Sequence, residues 1–232
     1  MKRIVVLIFI YLSLCSCQSN IDKANKIIDS YMFKHLHDYK SYEVVETTVD
    51  TLFNSPFANP ECINLAAIAN KHLNSSIDYE RNADSDKESL NIWSSGGWTS
   101  YSRSEYWKAY KKWLTNIKNG TMEQIEYLET VKMILKKSAT LNGTQQVGWL
   151  VNHTFRSNTL GGNSSLGTYT FFIDNEFKNI IDSFDNDDEE IKNALSTLTD
   201  ILSSYSSVEL VDSLITSNRG LITTTEEYLG KI

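Results

Sequence analysis

Residues 147–177, VGWLVNHTFRSNTLGGNSSLGTYTFFIDNEF, carry the clearest β pattern in the chain. Bulky side chains fall on every second position at Val147, Trp149, Val151, His153 and Phe155, and again at Tyr169, Phe171 and Ile173. A period of two puts each set on one face of a strand, so the stretch predicts two strands that share a core face, with Trp149 and Phe155 pointing inward. Between them, residues 157–167 hold Gly161-Gly162 and Gly167, which tolerate φ > 0 and predict an antiparallel hairpin with a long tip.

Toward the N-terminus, Ile21, Ala24, Ile27, Ile28, Tyr31, Met32 and Leu36 recur at three- and four-residue steps. They predict an amphipathic helix over 20–37, capped by Ser19 or Asn20. A second strand-like run, 42–53, is rich in Val and Thr, although its alternation is impure. Pro56 and Pro60 then mark a loop and the first position of a helix.

The spacing is helical over 61–140, with Leu65, Ile68, Ala69, His72 and Leu73 as one expected stripe and a polar stretch over 78–91. Gly96-Gly97 predicts a break. A further helix with Tyr106, Trp107, Tyr110, Trp113, Leu114 and Ile117 is expected to end at Asn119-Gly120, and Thr121 with Gln124 resembles a capping box that opens the next. A tight antiparallel pair of helices follows from that spacing.

Beyond the hairpin, acids at 185–190 precede a stripe of Ile191, Ala194, Leu195, Leu198, Ile201 and Leu202. Their charge suits a helix N-terminus; a calcium loop would need the twelve-residue ligand spacing that is absent here. Val208, Val211, Leu214 and Ile215 form a last short stripe, expected to cover an open flank of the sheet. The predicted fold is therefore α+β. It has a small antiparallel β-sheet packed with helices, a helical excursion over 60–140 between the first and second strands, and C-terminal helices. The expected organisation is a signal segment over 1–17, an α+β domain over 18–185 and a helical segment over 186–232 packed on it.

The address lies at the start. Lys2 and Arg3 precede an apolar run over 4–14, too short to span a bilayer, which ends in Leu14-Cys15-Ser16-Cys17. That pattern predicts a bacterial lipobox with Cys17 as the acylated residue, and hence a cell-envelope lipoprotein whose membrane affinity comes from its lipid. Cleavage before Cys17 leaves 20 basic residues against 29 acidic ones, a net charge of −9 where the whole chain has −7. Such a domain repels phosphate, so nucleic acid is not an expected partner. Cys62 is then the one cysteine besides Cys17, and the chain relies on its core rather than on a disulfide framework.

The order of elements, together with Asp38-Tyr39-Lys40-Ser41-Tyr42-Glu43, Gly148-Trp149-x-Val151-x-His153-x-Phe155-Arg156, Gly161-Gly162 and Tyr169-x-Phe171-x-x-Asp174, resembles a family of small lipoproteins of Gram-negative gut bacteria. The likeness covers about residues 20–182. It implies a helix, a strand, a helical excursion and a closing strand pair, and it brings no reaction, cofactor or catalytic residue with it.

Motifs for zinc proteases, serine hydrolases, P-loops, dinucleotide binding and redox dithiols are all absent. No catalytic, cofactor-binding or metal-ligating residue is therefore nominated. His35 and His37 lie two apart on a helix and point apart, and His153 is expected to be a core histidine bonded to a neighbour. Two surfaces remain as candidates for a protein, peptide or glycan partner. One is Arg156 at the base of the Gly161-Gly162 tip, where a guanidinium could grip a carboxylate. The other is the aromatic passage 93–113, in which Trp107, Tyr110 and Trp113 are expected to pack as a helical stripe, whereas Trp93, Trp98 and Tyr101 in the Gly-Ser turn have no periodic reason to be there. A non-enzymatic envelope binding module is the leading function class. An envelope hydrolase, or an immunity or inhibitor protein using its acidic surface, is the alternative.

Overall fold

The computed structural model describes residues 19–232, so Cys17 and the segment before it lie outside the described residues. Along the chain run α1 (Asn20–His35), β1 (Glu43–Phe53), α2 (Pro60–Ser95), α3 (Ser100–Ala139), β2 (Gln146–Asn158), β3 (Ser164–Asp174), β4 (Ile180–Asp185), α4 (Glu189–Ser204) and α5 (Val208–Leu229). The fold is α+β, with a four-stranded antiparallel sheet in the order β1-β2-β3-β4. The excursion does fall between the first two strands. The described residues divide into two compact units: 19–54 with 142–188, which hold the sheet, and 55–141 with 189–232, which hold α2 to α5.

In the sheet unit, the inward row of β2 pairs directly with that of β3: Trp149 with Ile173, Val151 with Phe171, His153 with Tyr169 and Phe155 with Gly167. α1 lays Ala24, Ile28 and Met32 on this row, and these bury with Val151, Phe155, Phe171 and Ile173. Phe155 is buried as expected, while Trp149 is half-buried at the margin, stacked on Phe177 with its Nε1–H donating to the Asn175 carbonyl at 3.2 Å. α1 opens with a full capping box between Ser19 and Asp22. The impure alternation of β1 has a structural cause, an irregularity in its pairing with β2 between Val44 and Glu46.

β4 is a strand that the sequence reading missed, since its apolar residues Ile180, Ile181 and Phe184 do not alternate. The turn before it is set by Asp174. Its carboxylate accepts from the backbone N–H groups of Glu176, Lys178 and Asn179 and from the Asn179 side chain, allowing Phe177 to sit at φ 55°. Burial would push the Asp174 carboxyl up, but these donors outweigh it and hold it below its ordinary value.

In the helical unit, two expectations are corrected. Residues 100–139 form one helix, not two, so there is no αα-turn at Asn119-Gly120. Gly120 is buried mid-helix, where an added Cβ would lie 3.2 Å from Cβ of Tyr79 on α2. The glycine serves close helix approach rather than termination. Thr121, instead of capping a new helix, donates its hydroxyl to the Ile117 carbonyl at 2.8 Å.

The buried face of α2 also differs from the expected stripe. Cys62, Ala69, Ser76, Ala83 and Leu90 are buried at strict seven-residue spacing, whereas Ile68 and Leu73 are exposed. Small residues on that seam let the 36-residue α2 lie close against the 40-residue α3. Pro60 is the first residue of α2, as expected, and Asn59, which the sequence reading did not single out, caps it by accepting from the Cys62 N–H.

The C-terminal residues are corrected as well. α4 packs on α2 and α5 on α3, so the face expected to cover a flank of the sheet is taken up by helices. Lys118–Glu226, Lys132–Asp212 and Glu129–Arg219 pair along the α3–α5 contact.

Candidate functional site

The hairpin tip is much shorter than its glycines suggest. β2 and β3 stay paired out to Asn158 and Ser164, leaving five residues, 159–163. Within it Gly162 stands at φ 77°, its N–H donates to the Thr159 carbonyl at 2.9 Å, and the Thr159 N–H donates to the Asn163 carbonyl at 2.9 Å. Those two donors are spent inside the turn. Arg156 is exposed on the sheet face away from α1, between Glu43 and Leu166 in register, and forms no ion pair among the described residues. Gly161 and Gly162 are exposed at the tip. Of the three candidates here, Arg156 alone is charged.

His153 is fully buried and wired on both nitrogens. The Tyr42 phenol lies 2.7 Å from Nε2, and Thr47 Oγ1 lies 2.8 Å from Nδ1 and donates its own hydrogen to Asn25 Oδ1 at 2.7 Å. The donors therefore run one way, from Tyr42 to Nε2, from Nδ1–H to Thr47, and from Thr47 to Asn25. Burial lowers the imidazole to about 4 and raises the Tyr42 phenol, so at neutral pH both are uncharged. With a ring sealed in the core and no carboxylate among these partners, His153 is a structural group.

The aromatic passage is built differently from either expectation for it. Gly97, at φ 72°, turns the chain out of α2, and Thr99 caps α3 by accepting from the Ser102 N–H. That turn brings Trp93, near the end of α2, against Tyr101 in the first turn of α3, with ring centroids 5.9 Å apart. Trp98 meets Tyr106 at 5.5 Å, Tyr106 stacks along Tyr110 at 6.2 Å, and Tyr110 meets Trp113 at 5.6 Å. Trp107 joins both tyrosines edge to face. These rings do not pack inward as a core stripe: the inward positions hold Ser102, Ala109 and Leu114, while Trp98, Tyr101 and Trp107 are 57%, 68% and 46% exposed. A half-exposed ladder of rings that contact one another is a pre-ordered surface, since its side chains have already lost rotamer freedom.

Beside the ladder are two adjoining clefts. One, of about 460 Å³, is lined by Ser104, Trp107, Lys108, Lys111, Lys231 and Ile232. The other, of about 270 Å³, adds Tyr106, Tyr110 and Tyr228. The lysines and Tyr228 had no place among the candidates from sequence. A usable signal existed, because Ser104, Trp107, Lys108 and Lys111 stand at i, i+3, i+4 and i+7 and must share one helix face. Of the candidates named from sequence, Trp93, Trp98 and Tyr101 are brought together in the helical unit, while Arg156, Gly161 and Gly162 belong to the sheet unit. Among the described residues no cluster of His, Cys, Asp or Glu could hold a metal ion.

No family model, curated protein or solved structure matches the chain.

Proposed function

We propose that this chain is a cell-envelope lipoprotein, acylated at Cys17, that binds a ligand through the aromatic ladder of α3 without converting it, and that it belongs with the envelope lipoproteins its sequence resembles. The observation that carries the binding function is the half-exposed ladder from Trp98 through Tyr106 and Tyr110 to Trp113, flanked by clefts. Ring faces of this kind take up the C–H faces of sugar rings, and Trp and Tyr supply large contact area at low entropic cost. A protein with so much aromatic surface held outside its core has a use for it.

Two measurements test this proposal. Cys17→Ala should move the full chain from the membrane fraction to the soluble fraction, because acyl chains supply the membrane affinity; retention of the unacylated chain would refute the anchor. The soluble chain from residue 18 should co-sediment with insoluble envelope saccharide, and Trp98→Ala with Trp107→Ala should lower its retention at least about tenfold, a loss of about 1.4 kcal/mol in binding. Undiminished retention of that double variant would remove the ladder from the proposal.

A further inference from the structure

Resting on that binding function, we infer that the ligand is an anionic saccharide, with a sugar ring against Trp107 and its carboxylate or sulfate held by Lys111 and Lys231. The chain is acidic overall, with 29 acidic residues against 22 basic ones, yet every charged side chain lining the two clefts belongs to a lysine. On α3 the stripe Ser104, Trp107, Lys108, Lys111 aligns an aromatic face with two ammonium groups and a hydroxyl. Lys231 closes the opposite wall, with its Nζ 5.4 Å from the Tyr228 ring centroid.

The lysines are not equivalent. Lys108 is tied to Glu105 at 2.7 Å, which offsets its charge and raises its ammonium above its ordinary value. Lys111 and Lys231 have no ion pair among the described residues, so their charges remain for a ligand. A neutral sugar would use the ring and leave two ammonium groups unmatched at the cleft. An anion beside the ring matches both halves of the site. A long polyphosphate chain would meet the acidic remainder of the surface, whereas a carboxylate- or sulfate-bearing oligosaccharide needs only the cleft.

The test titrates the soluble chain from residue 18, followed by tryptophan fluorescence, with oligogalacturonate against its methyl ester and chondroitin sulfate against its desulfated form. At least one anionic member should bind about tenfold or more tighter than its partner, and that advantage should shrink as salt is raised. Lys111→Gln with Lys231→Gln should bring its affinity to within about threefold of the less charged partner at unchanged Tm. Lys112→Gln, on the same helix outside the clefts, should leave the advantage in place. Equal affinity within both pairs, a double variant that keeps the full advantage, or silence toward all four probes overturns the inference. In any of these cases the ladder itself still stands or falls by the sedimentation of Trp98→Ala with Trp107→Ala.

Discussion

His153 is neutral inside a packed core because the sheet supplies an acceptor on one side of the ring and a donor on the other, and no partner for a proton. Its folded value near 4 lies below the ordinary 6.5. As pH falls, the unfolded chain takes up that proton first, so the stability linked to this group is fully present above pH 6.5. It declines between 6.5 and about 4, and below that the group contributes no further loss. The expected loss over this window is on the order of 2–3 kcal/mol. Denaturant titrations at pH 7.5 and pH 4.5 measure it, and His153→Gln should be less stable at pH 7.5 but show a flatter dependence between the two. A variant with the parental slope would assign the dependence to other groups. At the same scale, Phe155 lies directly across from Gly167, whose added Cβ would come within 3.0 Å of the Phe155 ring. The ring covers the gap that a glycine leaves in a strand.

At the scale of elements, the decisive one is α3. Its uninterrupted run carries the aromatic ladder at one end and the close α2 contact at Gly120 further along. Gly120→Leu should place a bulky side chain against Tyr79 and destabilise the chain by about 3 kcal/mol, the upper end of the usual cost of overpacking. At a helix-ending glycine with φ > 0 the same change would cost only the backbone strain of a left-handed residue, about 1–2 kcal/mol. Thermal or denaturant unfolding separates the two. The ladder at the other end depends on the Gly97 turn and the Thr99 cap, which seat Trp98 over Tyr106. Exposed ion pairs within the neighbouring helices, such as Arg81–Asp78 on α2 and Lys192–Glu189 on α4, add little stability.

At the scale of the whole molecule, the excursion inserts most of a helical unit between two strands that are partners in one sheet. The strand ends stay close, since the Asn54 N–H donates to the Gln145 carbonyl at 2.9 Å. A chain of residues 18–54 joined to 142–188 through a two-residue turn should therefore fold as a four-stranded meander under α1. The expected result is a β-type far-ultraviolet spectrum and a cooperative melt; a non-cooperative or aggregated product would show that the sheet unit requires the helical one. A second functional reading also belongs at this scale. Glu43, Glu46 and Asp50 form an acidic row on the edge strand β1, and an inhibitor of a basic protein would use such a row. Loss of that partner on charge reversal of the row would favour it.

By itself, the sequence determined whatever depends on local period and local chemistry. The alternation in β2 and β3 specified their core face, because a one-residue slip would expose every inward ring. Ser19 and Pro60 specified helix starts, and the α+β class followed from where helical and strand periods change over. Trp93, Trp98 and Tyr101 stood out in the sequence because nothing periodic accounted for them, and the Gly97 turn sets Trp93 against Tyr101. The tertiary structure decided what depends on a neighbour distant in sequence. Asn119-Gly120 has the local chemistry of a helix end, and only the presence of Tyr79 against it shows why a glycine is needed in mid-helix. The seam of α2 runs through Cys62, Ala69, Ser76 and Ala83, small residues that carry little hydrophobic signal and gain their energy only when α3 packs against them. Lys231 reaches the α3 cleft from the far end of the chain, and no spacing rule connects it to Lys111. Burial, helix approach and charge convergence are properties of pairs of segments, so they enter only when the chain has folded.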